Sequence, residues 1–303
     1  MNEQEKTALN GVLELVQKEI RSRQRGRLWK RIFWTLLILF FILGSLGRGG
    51  REQVAVIEIH GLIGLQEEAN ADSIISRLKR ASDNRHTKAI ILDINSPGGS
   101  PVQSAQVFRA LRALKQKRDD LPIYAVISDV GASGGYYMAV GADKIYADPS
   151  SIVGSIGVIS SNFGYGDLLE KLGLEARTFT AGKHKNFLNG AKELDPEEVK
   201  FLQSLLDDMH QQFIEAVKTG RGKKLVGDPD LFSGLFWTGT KAKELGLVDD
   251  LASVGEVVER EFNGLPRHYY RAERSFMQEL QRVHSNGLSQ GLRAALQTTP
   301  ALR

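Results

Sequence analysis

Two glycine-rich segments carry the residue types most able to do chemistry. In Gly131-Ala132-Ser133-Gly134-Gly135 a serine stands between glycines. A nucleophile needs such a setting, because a sharp turn exposes the hydroxyl and the next backbone N–H can face a developing oxyanion. The second segment is Asn95-Ser96-Pro97-Gly98-Gly99-Ser100. Its proline stiffens the turn, and its glycines leave backbone amides unscreened by side chains. Ahead of a helix, those amides can hold an oxyanion or a phosphate. No Gly-Lys-Ser/Thr and no Gly-x-Gly-x-x-Gly follows, which argues against phosphate. Taken alone, this segment favours a plain strand-to-helix turn.

A serine nucleophile needs a base, and the chain offers two kinds. The Gly-x-Ser-x-Gly pattern around Ser133 fits an α/β-hydrolase elbow, whose order is serine, acid, histidine. Asp228, Asp249 or Asp250 followed by His268 or His284 satisfies that order, and His60-Gly61 with Gly64 can mimic an oxyanion loop. His268 and His284, however, sit in a charged tail without the glycine-flanked loop expected of a catalytic histidine. A lysine is the other possibility, since burial can lower an amine from its reference pKa near ~10.4 and let it take the serine proton. Lys183 and Lys185 both follow the strand-like run Thr178–Ala181 and Gly182. Spacing alone separates neither from a solvated loop lysine.

The surrounding pattern is of short apolar runs alternating with helical spacing. Strands are expected at 54–59, 89–94, 123–127, 144–147 and 152–159. Ile74, Ile75 and Leu78 mark one helix, and Val102, Ala105, Phe108 and Leu111 a second. After Asp195-Pro196, a long helix is expected to bury Leu202, Leu206, Met209, Phe213 and Val217 along one face. Repeated strand–loop–helix units predict an α/β protein with a largely parallel sheet. Ser133 then falls at a strand-to-helix junction.

The 303 residues include 40 Lys plus Arg, 36 Asp plus Glu and no Cys, which excludes disulfides, thiol nucleophiles and cysteine-based metal sites. Residues 1–31 carry eight basic and four acidic side chains, so the remainder, with 32 of each, is neutral. That distribution argues against a nucleic-acid-binding domain. The run Ile32–Gly47 holds no charge, Asn, Gln or Pro. Its sixteen residues fall slightly short of the ~20 that cross a bilayer core, and Lys30, Arg31 and Arg48 can snorkel to close the gap. Trp29 and Trp34 suit an interface. A cleaved signal peptide is disfavoured by some thirty polar residues ahead of the run. Seven basic residues lie from Lys18 to Arg31, against Arg48 and Arg51 beyond the span, so the N-terminus is expected in the cytoplasm. The expected organisation is a cytoplasmic basic segment 1–28, a transmembrane anchor 29–48, a catalytic domain 49–265 on the outer face of the cell membrane, and a charged helical tail 266–303.

Five motifs occur in order: Asn95-Ser-Pro-Gly-Gly99, Gly131-Ala-Ser-Gly-Gly-Tyr-Tyr-Met-Ala139, Gly154-Ser-Ile-Gly-Val158, Gly182-x-x-Lys185 and Ala242-x-x-x-Gly246-Leu-Val-Asp249. Together they resemble the signal peptide peptidase A family, serine–lysine peptidases of the Clp protease–crotonase superfamily, over about residues 54–262. The resemblance implies that superfamily's spiral of repeated strand–strand–helix units. It implies Ser133 as nucleophile, Lys185 rather than Lys183 as general base, and Ser155 as the group orienting the lysine amine. It implies an oxyanion hole from Gly98 or Gly99 with Gly134. Asn186 departs from the Asp that many relatives carry after the lysine. Implied substrates are membrane-associated peptides, notably signal-peptide remnants, with no metal or organic cofactor. Implied partners are the lipid bilayer and further copies of the chain in a ring, eight in the resembled short forms, whose sites a neighbouring subunit completes. An intrachain dyad is also sterically reasonable, with two strands between Ser133 and Lys185. A crotonase-type acyl-CoA enzyme and a non-catalytic membrane scaffold are the alternatives on this fold.

Overall fold

The computed structural model describes residues 33–39 and 51–271. These belong to two units, 1–51 and 52–303. In the first, α1 (33–39) is a short helix whose Phe33 and Trp34 rings meet edge to face at 6.1 Å. Among the described residues no helix is long and apolar enough to cross a membrane. Most of the apolar run 32–47 lies outside them.

The second unit is an α/β fold on one sheet. Its strands are β1 (Gln53–His60), β2 (Thr87–Ser96), β3 (Ile123–Ala132), β4 (Lys144–Ala147), β5 (Ile152–Gly154), β6 (Phe236–Thr238), β7 (Asp250–Leu251) and β8 (Arg267–Tyr269). The path β6-β5-β3-β2-β1-β8 is parallel except at β5–β6, with β4 pairing β3 and β7 pairing β4. Strand β3 forks. Tyr124–Ile127 pair with β4, and Val130–Ala132 pair with β5. The buried Ser151 hydroxyl bonds the Ile127 carbonyl (3.1 Å) at the fork. The upper part of β3 thereby leaves its first neighbour and carries Ser133 toward β5.

The central strands are apolar on both faces, as strands covered on both sides must be. Ile57, Ile59, Ile90, Leu92, Ile94, Ile123 and Ile127 face one core. That core is covered by α2 (Ala71–Asp83), α3 (Pro101–Lys117) and α4 (Gly134–Ala139). Val54, Ala89, Ile91, Tyr124 and Val126 face a smaller core containing Val257 and Val258 of α8 (Val254–Phe262). Caps set the helix starts. Asn70 accepts the Ser73 amide, and Ser100 accepts the Gln103 amide ahead of Pro101. A Ser253–Glu256 capping box opens α8.

Three expectations shift. The strand expected over 152–159 stops at Gly154, because Gly154 (φ 111°) and Ser155 (φ 52°) turn the chain out of extended geometry. The tail expected to be helical over 266–303 begins instead as β8 on β1, with Tyr270 buried, and its remainder from 272 lies outside the described residues. Between β5 and β6 run α5 (Gly166–Lys171), α6 (Pro196–Arg221) and loops. Helix α6 buries Phe213 and Val217, but Leu202 and Leu206 are only half-buried and Met209 is exposed. The remaining helix, α7 (Gly239–Glu244), precedes Asp249. Arg221 (2.7 Å) and Lys224 (2.6 Å) reach that carboxylate, which also accepts the Ile145 amide. Burial works to raise its pKa, and these bonds together outweigh it, leaving the carboxyl below its ordinary value.

Candidate active site

Ser133 follows the last residue of β3 and caps α4 with φ 50° and ψ −121°, a dihedral that costs a non-glycine residue about 1–3 kcal/mol. Its amide donates to the Gly154 carbonyl (2.8 Å), and its carbonyl accepts the Tyr137 amide (2.9 Å). The strain is thus held between β5 and the buried α4. The residue stays partly accessible, while both following glycines are buried.

The loop after β2 comes directly against this turn. A Cβ on Gly98 would lie 2.7 Å from the Ser133 Cβ and 3.0 Å from its Oγ, and one on Gly134 would lie 3.3 Å from the Gly99 nitrogen. Only a backbone without side chains can approach so closely. The loop is laced to the chain beyond β1. Ile63 N–H donates to the Gly98 carbonyl (2.9 Å), and Ser100 N–H donates to the Ile63 carbonyl (2.8 Å). Ser96, fully buried, donates to the Gly61 carbonyl (2.6 Å) and accepts the Gly98 amide (3.2 Å). No acceptor among the described residues takes the Gly99 or Gly134 amide. Two adjacent N–H groups are therefore free beside the serine, the arrangement that receives an oxyanion. Exposed Leu62, Leu65 and Val102 flank the same loop.

Ser155 lies one residue beyond the carbonyl that receives the Ser133 amide. It too has positive φ (52°), and its amide donates to the Leu235 carbonyl (2.7 Å). Ser133, Ser155, Gly98, Gly99 and Gly134 are thus brought together. Lys185 is not among them. It sits in an exposed turn closed by its own amide on the Gly182 carbonyl (3.1 Å), and its amine bonds no described residue. Lys183 is equally exposed.

Among the described residues no histidine–acid pair stands at Ser133. His268 is on β8, three strands from β3, against the Tyr270 ring. Asp249 is committed to Arg221 and Lys224, Asp250 to Lys243 and Arg260, and Asp228 to the turn amide of Asp230. His60 lies 3.5 Å from Asp93 at the end of β1, and His284 lies outside the described residues. His210, which sequence reasoning passed over, reaches the Ile156 carbonyl (3.0 Å) beside Ser155. Its spacing from Phe213 and Val217 on α6 is the signal that marks it as inward-facing. Ser96 carries a similar signal, extending the two-residue period of Ile90, Leu92 and Ile94. Among the described residues no group of three or more His, Asp or Glu side chains is placed to hold a metal ion.

Residues 115–263 match the family model described as Peptidase family S49. The chain is 42% identical over 212 residues to a Brucella melitensis protein named Na(+)/H(+) antiporter NhaA, covering 68% of this chain and 29% of that protein. It is 34% identical over 186 residues to an Enterococcus faecium protein that bears the signal peptide peptidase SppA name, covering 61% of this chain and 54% of that one. A Synechocystis protein that bears a protease name is 34% identical over 203 residues, which cover 67% of this chain and 71% of that one. The chain therefore spans less than a third of the first relative and about half of the second. The antiporter name, attached to a protein of which 29% is matched, carries no transport function to this chain.

Proposed function

The chain belongs to peptidase family S49, the signal peptide peptidase A family, and on that footing we propose that it is a serine endopeptidase working through a Ser133–Lys185 dyad. The neutral Lys185 amine takes the proton of Ser133 Oγ as the oxygen attacks a peptide carbonyl. The tetrahedral oxyanion is received by the Gly134 amide and by the loop after β2. The lysine then gives its proton to the leaving amine, and water repeats the sequence on the acyl-enzyme. Ser155 orients the lysine amine. The observation that carries this reading is the strained Ser133 held against two unpartnered amides. An acyl-CoA enzyme needs the paired amides, but not a serine held between them at such a dihedral.

The reading extends to assembly. From Ile159 to Lys185 nearly every residue is exposed, including Ile159 (91%), Phe163 (87%) and Phe179 (94%). Apolar side chains in such density call for a partner surface. We take that surface to be the next copy in a ring-shaped homo-oligomer, whose neighbour brings Lys185 to the serine. The apolar run 32–47 with its basic flank supports a single anchor, N-terminus inside, and a catalytic domain on the outer face of the membrane. Signal-peptide remnants and other membrane-associated peptides are the substrates such a site would meet.

A fluorophosphonate probe on the detergent-solubilised chain tests the chemistry. Label on Ser133 that disappears in Ser133→Ala and is strongly slowed in Lys185→Ala is expected. An unlabelled wild-type protein would defeat the proposal.

A further inference from the structure

Resting on the serine-peptidase reading above, we propose that Ser96 is a positioning residue that selects which amide of its loop serves the oxyanion. A serine hydroxyl has one proton and two lone pairs. The Ser96 proton is committed to the Gly61 carbonyl (2.6 Å), so a lone pair meets the Gly98 N–H (3.2 Å). Pro97 between them has no N–H to compete, and the Ser-Pro-Gly order closes a serine turn onto the second amide downstream.

The Gly98 N–H goes to Ser96, and the Ser100 N–H goes to the Ile63 carbonyl. Gly99 is left with the unpartnered N–H, next to Gly134. Gly98 (φ 108°) and Gly99 (φ 146°) lie in a region that only glycine enters freely, so the peptide planes on either side of Gly98 can rotate. Without the hydroxyl, the buried Gly98 N–H lacks an acceptor, and rotation to find one turns the Gly99 N–H away. Ser96 is fully buried and has no route to substrate, so its effect must pass through this loop.

The solubilised full chain would be assayed with a trileucyl aminocoumarin substrate and the matching trileucyl aldehyde, whose hemiacetal with Ser133 puts an oxygen in the hole. Leucine suits the exposed Leu62, Leu65 and Val102 around the loop. Loss of one oxyanion donor costs about 10²–10³-fold in kcat, and a misaimed donor less, so Ser96→Ala is expected to lower kcat about 10- to 100-fold. Aldehyde affinity should fall by a similar factor, with KM changed less than about twofold. Ser96→Cys, which is slightly larger and weakens both bonds, should show the same pattern in milder form and carries the test if the alanine variant does not fold. Unchanged kcat and aldehyde affinity would overturn the proposal, as would a KM that rises in step with the loss of turnover. Failure of the fluorophosphonate to label wild-type Ser133 would instead bring down the peptidase reading itself.

Discussion

The two halves of the proposed dyad stand in opposite surroundings. Ser133 closes a strand in the middle of the sheet, between buried Ala132 and buried Gly134, with β2, β5 and α4 each holding part of its turn. Lys185 belongs to a stretch in which almost every side chain meets solvent, apolar ones included. The nucleophile side is complete within one chain, because packing and backbone hydrogen bonds over-determine it. The base side has the composition of an interface without a partner. In the proposed ring, catalysis would depend on assembly, and a lone copy would be idle.

The contrast is most exposed to test at the dyad. Ser133→Ala and Lys185→Ala are each expected to lower peptide turnover by about 10³-fold or more, while Lys183→Ala stays within about twofold. Equal losses at both lysines would remove Lys185 from its role. Gly134→Ala puts a Cβ 2.5 Å from Ser104 Oγ, beside the Gly99 nitrogen, and should cost about 10²-fold in kcat. Wild-type turnover from that variant would mean the oxyanion is received elsewhere. Mixing inactive Ser133→Ala and Lys185→Ala chains, followed by reassembly, should restore about a quarter of the sites if the lysine comes from a neighbour in a closed ring. No recovery would place both groups on one chain.

Stability should divide the same two regions. Ile57→Ala, in the fully buried core, is expected to cost about 2–5 kcal/mol in a denaturant melt. Phe163→Asp should leave that melt nearly unchanged and instead reduce the mass measured in detergent. A destabilised Phe163→Asp with unaltered mass would show the exposed stretch packing within its own chain. A smaller effect concerns Asp249, whose folded-state pKa lies below its ordinary value. Its contribution is complete above that ordinary value and is lost as pH falls through the folded one. Asp249→Asn should therefore cost about 3 kcal/mol at pH 7, because Arg221 is left buried with a weaker partner, and the difference should shrink only below about pH 4. A difference independent of pH would mean the carboxylate charge contributes nothing.

Much of the site was legible from local pattern alone. The strands around Val54–Ile59, Ala89–Ile94 and Ile123–Ile127, the serine between glycines and the Pro-Gly-Gly turn were readable because burial period and turn chemistry act over a few residues. The same period marks Ser96 as inward-facing, although its partners at Gly61 and Gly98 come from different segments and no local pattern names them. Tertiary structure alone decided that β3 forks, so that Gly154 receives the Ser133 amide and Ser155 arrives beside the serine. It also decided that Asp249, a plausible triad acid on spacing, is held by Arg221 and Lys224, and that His268 ends three strands from the nucleophile. Strand pairing and ion pairing join residues tens of positions apart, and their choice depends on which surfaces remain once the core has closed. The lysine loop shows the limit of both. Its sequence carries the motif, yet the folded chain leaves it in solvent, and in the proposed ring the contacts that hold it come from a neighbouring copy.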